Sequence, residues 1–270
     1  MRLTPRNAAA AVLAVATFVL GSALLSGCKK AEARKEGEIV IGFSTRDLSS
    51  EYTAKLSQAV LDQAKTRPGV KVVMTDGQSD VQKQYNQVEN FVAQKVDAII
   101  INPCEYEAST PAVDKAKAAG IPIVIVNQTT KSAGDAYIGS NDLDAGRMAM
   151  EAIAKKLHGQ GGVLMIHGIM GTSAQLEREA GAREVFAKYP GLKLIDQQTA
   201  SWDRAKAMTL TENWIQAHKG KFSAIFAHND EMAMGALLAL ERAGIKKDIY
   251  VIGIDGIAQA LTAVKDGRLD

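Results

Sequence analysis

The sequence predicts an α/β protein made of two doubly wound parallel-sheet lobes with a ligand cleft between them. Three observations carry that expectation. From Glu38 onward, short runs rich in Val and Ile alternate with amphipathic stretches long enough to be helices. The apolar runs are nearly unbroken, as in strands covered on both faces, and such strands belong to parallel sheets. The alternation falters once, at the short extended segment Asp135 to Asp142, which divides the chain into a first lobe at 38–140 and a second at 141–270.

Taken in order, strands are expected at 39–43, 71–75, 98–102, 122–126, 163–167, 192–196, 224–227 and 250–254. Helices are expected at 51–66, 80–94, 110–119, 142–157, 173–188, 203–218, 230–243 and 257–266. Asp80, Thr110, Asp203 and Asp230 stand where a side-chain oxygen would cap the first free N–H groups of a helix. Gly69, Gly120 and Gly244 stand where helices stop. Each doubly wound lobe would aim the carboxyl ends of its strands at the shared cleft, where open α/β sheets bind ligands.

The first residues follow other rules. Arg2 and Arg6 precede an acid-free apolar run from Ala8 to Ser26, the composition of a secretory signal peptide over 1–27. The run ends in Leu25-Ser26-Gly27-Cys28, which resembles the lipobox of bacterial lipoproteins. That resemblance implies diacylation of Cys28 and anchoring to a membrane on the exported side, with 28–37 as a charged tether. Removal of 1–27 takes two arginines and no acid from the 32 basic and 30 acidic residues, leaving 30 of each. A near-neutral mature chain has no basic field for nucleic acid, and no second apolar segment is long enough to span a bilayer. Its partners are then small neutral molecules or proteins. With Cys28 acylated, Cys104 is the one remaining thiol, so no disulfide framework is possible and packing must provide the stability.

Unusual polar residues gather in the turns after strands: Ser44, Asn127-Gln128, Gly168 to Ser173, His228-Asn229-Asp230 and Asp255. One such residue would be a turn former or a cap. Five turns in the same register point to a common site. Enzyme chemistry is poorly represented. Gly168 to Ser173 opens a helix without the Gly-Lys-Ser/Thr ending of a phosphate loop, and Ser173 is outside a Gly-x-Ser-x-Gly elbow. His158, His167, His218 and His228 lack metal-ligand spacing, and Cys104 reads as a buried filler. Neither a metal nor a cofactor is expected.

The stretch His228-Asn229-Asp230-Glu231-Met232-Ala233-Met234-Gly235-Ala236, followed one helix later by Val251-Ile252-Gly253-Ile254-Asp255-Gly256, resembles the ribose- and galactose-type periplasmic binding proteins of ABC importers. Gly171-Thr172-Ser173-Ala174 with Glu177-Arg178, and Thr199 to Arg204, fit the same family. The resemblance implies the Venus-flytrap fold of type I periplasmic binding proteins and delivery of a bound sugar, cyclitol or polyol to permease subunits. It implies that Asn229, Asp255 and Arg178 hydrogen-bond ligand hydroxyls and that Trp202 packs on the ring's C–H face. Tyr52 and Asn127 would join from the first lobe, with Ser44 beside them. A carboxylate, an amide and a guanidinium fork can together satisfy a ring of hydroxyls. The alternative for Arg178 is a pair with Glu177 or Glu179 on the helix surface; Trp214, mid-helix, reads as core.

The departures bear on ligand identity. Asn127-Gln128 replaces the Asp-Arg of ribose binders, Asp47 to Tyr52 replaces their aromatic turn, and the calcium loop of galactose-type members is missing between Lys156 and Gly162. Neither ribose nor galactose therefore transfers, and a cyclitol or polyol stays open. Relatives extend beyond the position of Asp270 with a segment returning to the first lobe, so the chain reads as truncated there, with apolar surface expected on that lobe. Two other functions use the same fold. A ligand-sensing regulator needs a helix-turn-helix where the signal peptide stands. A carbohydrate-acting hydrolase needs two carboxylates across a scissile bond, for which Asp47 or Glu51 would have to face Asp255.

Overall fold

A computed structural model describes residues 35–270; the expected signal peptide, Cys28 and most of the expected tether lie outside the described residues. Residues 35–38 form a turn closed by Glu38 N–H donating to the Lys35 carbonyl at 3.1 Å. Ile39–Asp270 form one compact unit.

That unit runs β1 (Ile39–Thr45), α1 (Glu51–Lys65), β2 (Val70–Asp76), α2 (Val81–Ala93), β3 (Ala98–Ile101), α3 (Thr110–Ala118), β4 (Ile123–Val126) and β5 (Ala136–Ile138). It continues with α4 (Asp142–Lys156), β6 (Gln160–His167), α5 (Ser173–Lys188), β7 (Gly191–Thr199), α6 (Arg204–Ala217), β8 (Ala224–Ala227), α7 (Asp230–Arg242), β9 (Tyr250–Ile252) and α8 (Ala258–Lys265). Two parallel sheets result, ordered β2-β1-β3-β4-β5 and β7-β6-β8-β9. All eight expected strands are present. The segment read as a break supplies a ninth, since Ala136–Ile138 pairs with β4 as an exposed edge strand.

Period-two alternation sets the core. On β6, Leu164 and Ile166 join Trp214, Ile225, Leu237 and Val251 on one face, while Val163 and Met165 join Met150, Ile153, Val185 and Phe226 on the other. The second sheet is thus covered twice. The first sheet packs Ile99, Ile101, Ile123 and Ile125 under Val88, Phe91 and Val113 of α2 and α3. On its opposite face Ile39, Val72, Ile100 and Val124 share a broad apolar groove with Leu56, Ala59 and Val60 of α1.

Capping follows the sequence at two of the four expected helix starts. Asp80 accepts from Lys83 N–H at 2.9 Å and Asp203 from Lys206 N–H at 2.8 Å. Two caps shift by one residue: Ser109 precedes α3, with Thr110 its first residue, and Asn229 caps α7, accepting from Met232 N–H at 3.0 Å. Asp230 is freed for another task, accepting from Gly256 and Ile257 N–H at 2.7 and 3.0 Å. Among the described residues no helix is long and apolar enough to cross a membrane.

Candidate binding site

The carboxyl ends of both sheets meet around a small cavity of about 30 Å³. Its walls are Arg46 after β1, Ser50, Tyr52 and Thr53 at the start of α1, and Asn127 and Gln128 after β4. From the other side come Ala174 and Arg178 of α5, Trp202 before α6, Asn229 before α7 and Asp255 after β9. A larger cleft of about 560 Å³ adjoins it and shares Arg46, Ser50 and Trp202.

Three of these residues have left-handed backbones that side chains other than glycine rarely adopt: Asn127 at φ 65°, Trp202 at φ 64° and Asp255 at φ 129°. Such conformations persist where the surrounding fold over-determines them, and they cluster at functional sites. Gly168 shows one way Trp202 is held, because a Cβ at that position would overlap the indole ring.

Arg178 organises the second wall. Its Nε donates to Asp142 Oδ1 at 2.8 Å and its Nη1 to the His228 carbonyl, and its guanidinium carbon stands 5.8 Å from the Trp202 ring centroid. The surface pairing with Glu177 or Glu179 is therefore not formed. Asp255 lies 3.8 Å from Arg178 Nη1, beyond hydrogen-bond length, and its carboxylate accepts no hydrogen bond among the described residues. Burial pushes its carboxyl up to about 7 against the opposing pull of Arg178. Burial likewise raises the Tyr52 phenol, with the Asp255 charge adding to it. Gln128 Oε1 and Trp202 Nε1 are buried without a protein partner. The cavity thus presents an acceptor carboxyl, an amide oxygen, a guanidinium and an indole face, a set suited to hydroxyls around an uncharged ring.

Six of the seven expected ligand residues, Tyr52, Asn127, Arg178, Trp202, Asn229 and Asp255, line this cavity. Ser44 does not: it is buried in β1 two residues before Arg46, and its hydroxyl donates to Gln87 Oε1 at 2.8 Å on α2. Cys28 lies outside the described residues. Asn229 serves two ends, since its Oδ1 caps α7 and only its amide NH₂ is left for a ligand. Arg46, Ser50, Thr53 and Ala174 were missed, and Gln128, singled out with its turn, was not assigned to the ligand. Arg46 follows a strand directly, the same signal that singled out Asn127. Asp142 was missed too, because its role depends on an arginine 36 residues away. The His167 and His228 rings stack edge-on at 4.7 Å between centroids, both buried, and burial lowers the pKa of each. Cys104 is buried, and burial pushes its thiol up to about 12, as suits a filler rather than a nucleophile.

The model of the periplasmic binding protein domain family matches residues 41–270. The chain belongs to this family. Among periplasmic binding proteins it is similar to the ribose import binding protein of Bacillus subtilis, 35% identical with 98% of this chain and 86% of that one covered. It is 35% identical to the xylitol-binding protein of Mycolicibacterium smegmatis over 84% of this chain and 64% of that one. Its fold superposes with a TM-score of 0.84 on an ABC transporter solute binding protein of Bacillus halodurans with bound myo-inositol, 37% identical, covering 87% of this chain and 82% of that one. The two parallel sheets with alternating helices are those of type I periplasmic binding proteins.

Proposed function

We propose that this chain is the solute-binding component of an ABC importer, that it captures a sugar, cyclitol or polyol between two lobes at 38–140 and 141–270, and that it hands the ligand to permease subunits. The observation that carries the reading is the second-lobe wall. Arg178 is braced by Asp142, Trp202 lies beside it, and Asp255 faces the cavity, largely withdrawn from water, without a hydrogen-bond partner among the described residues. Ligands of the relatives, a pentose, a pentitol and an inositol, share a ring or chain of hydroxyls that such a wall would satisfy.

Neither wall can satisfy a ring of hydroxyls alone, so ligand contacts to both favour a closed arrangement reached by rotation near Ser140-Asn141. The permease then reads lobe orientation as loaded or empty. Binding without turnover accounts for the site, since both carboxylates that could stand opposite Asp255 for hydrolysis are engaged elsewhere, Asp47 by Arg46 at 2.5 Å and Ser49 at 2.7 Å, and Glu51 by Lys55 at 2.5 Å and Ala258 N–H at 3.2 Å. Export by the signal peptide and a lipid on Cys28 would hold the protein at the membrane beside its permease.

A thermal-shift screen with ribose, xylitol and myo-inositol tests the reading, because a ligand at a hundred times its Kd adds about 2.7 kcal/mol of stability. A shift with at least one, lost in Arg178→Ala, is expected; no shift with any sugar, cyclitol or polyol at millimolar concentration rejects it. Labelled fatty acid should enter the parent and not Cys28→Ser.

A further inference from the structure

We infer that Glu51 is a closure latch, a first-lobe carboxylate that caps helix α8 of the second lobe and holds the lobes together from outside the cavity. The inference rests on the hinge-closure reading above. Glu51 is the first residue of α1, and its Oε1 accepts the Ala258 N–H at 3.2 Å, a contact spanning 207 residues. Lys55, one turn along α1, holds the same oxygen at 2.5 Å and so fixes the rotamer that reaches across.

The receiving end lacks a cap of its own. Helix α8 begins at Ala258, preceded by Ile257, which has no side-chain oxygen to offer. Asp230 takes the two N–H groups just before the helix, those of Gly256 and Ile257. Ala258 N–H is the next donor in line, and the acceptor it finds belongs to the other lobe. Arg204 strengthens the spot: its Nε pairs with Glu231 at 2.7 Å, its Nη1 donates to Gln259 Oε1 at 2.5 Å, and its charge acts favourably on Glu51.

Helix N-termini leave their first N–H groups unsatisfied, and a carboxylate there gains from the hydrogen bond and from the helix dipole. Here that gain exists only while the lobes are together. Opening returns Ala258 N–H and Glu51 to water, so the bond acts on the closed state alone, the condition for shifting a conformational population. Glu51 is not among the residues that line the cavity. Two further bonds join the lobes elsewhere, Thr129 N–H to Ser173 Oγ at 2.8 Å and Tyr106 N–H to the Gly171 carbonyl at 2.9 Å. Of the three, the Glu51 bond is the one that uses a charged side chain.

The test is the closed-to-open ratio in the ligand-free full chain, read by distances between spin labels at Arg67→Cys and Lys206→Cys, two exposed positions. Cys104 is buried and takes no label. Glu51→Ala should lower that ratio about three- to tenfold, the range for a lost helix cap. Ala258→Pro removes the same bond from its other side, and proline is well tolerated at the first position of a helix. It should lower the ratio as much, and the double variant no further; Glu51→Gln, which keeps an acceptor oxygen, should restore part of it. An unchanged ratio in Glu51→Ala, additive effects in the double variant, or no closed population in the parent overturns the latch. A second arm measures release of ribose, xylitol and myo-inositol, with faster release expected from Glu51→Ala at similar association rates. If the parent binds none of them, the proposed function fails while the ligand-free ratio still decides the latch.

Discussion

Asp47, buried at the larger cleft, and Asp255, at the small cavity beside it with its side chain 10% exposed, are two carboxylates whose environments drive them apart. Burial raises both. At Asp47 that push is outweighed by Arg46 Nε at 2.5 Å, Ser49 Oγ at 2.7 Å and Ser49 N–H at 3.0 Å, which hold the carboxyl down at about 2. Ser79 Oγ adds a fourth bond at 3.2 Å. At Asp255 the Arg178 guanidinium is too far to hydrogen-bond, burial outweighs the pull of Arg178 and Arg46, and the carboxyl rises to about 7. A carboxylate with its lone pairs filled by its own lobe is a structural brace, whereas one left without donors is a group with capacity for an incoming hydroxyl.

The largest expected effect comes from Arg178→Ala, which strikes the wall holding Asp255. Ligand binding should weaken by about 2–4 kcal/mol, because hydroxyls and Asp255 lose their charged partner. Folding should weaken by about 3 kcal/mol as well, since Asp142 is left buried without its ion pair. Calorimetry and denaturant melts read the two separately; a variant that binds within twofold of the parent would place the ligand elsewhere.

Next is Asp255→Asn, read as stability against pH. With a folded pKa near 7 and an ordinary value near 3.8, the native state keeps a proton that the unfolded chain releases as pH rises between those values. Parent stability from this group is therefore full below about pH 4, falls up to about pH 7, and stays low above. Asp255→Asn should flatten that slope, raise the melting temperature at pH 8 relative to the parent, and weaken ligand binding. A slope equal to the parent's would assign it to another group.

Asp47→Asn should do the reverse. Its depressed pKa contributes stability above the ordinary carboxylate value that is lost as pH falls through about 2, so the variant should lose about 2 kcal/mol at pH 7 and little near pH 2. If Asp47→Asn and Asp255→Asn changed stability at pH 8 in the same direction, the contrast between the two carboxylates would be broken. Ser44→Ala marks the small end, with about 1 kcal/mol lost in stability from the Gln87 hydrogen bond and ligand affinity unchanged within twofold.

The sequence by itself determined what depends on neighbours along the chain. Strands, helix starts and stops, and the polar turns were legible because alternation, capping and turn chemistry act over a few residues. Asn127, Arg178, Trp202, Asn229 and Asp255 were found in this way, by their places after strands and by the family motif. Tertiary structure decided which side chains share a partner. Ser44 and Arg46 stand two residues apart at the end of one strand, and only packing sends the first to Gln87 on α2 and leaves the second in the cavity wall. Arg178 had acidic neighbours at 177 and 179, yet Asp142 takes it, because α4 and α5 pack closely enough that a Cβ on Gly146 would overlap the Arg178 backbone. Glu51 and Ala258 meet across 207 residues because packing brings the start of α1 to the start of α8. Such pairings depend on distances through space, which no local pattern of residues encodes.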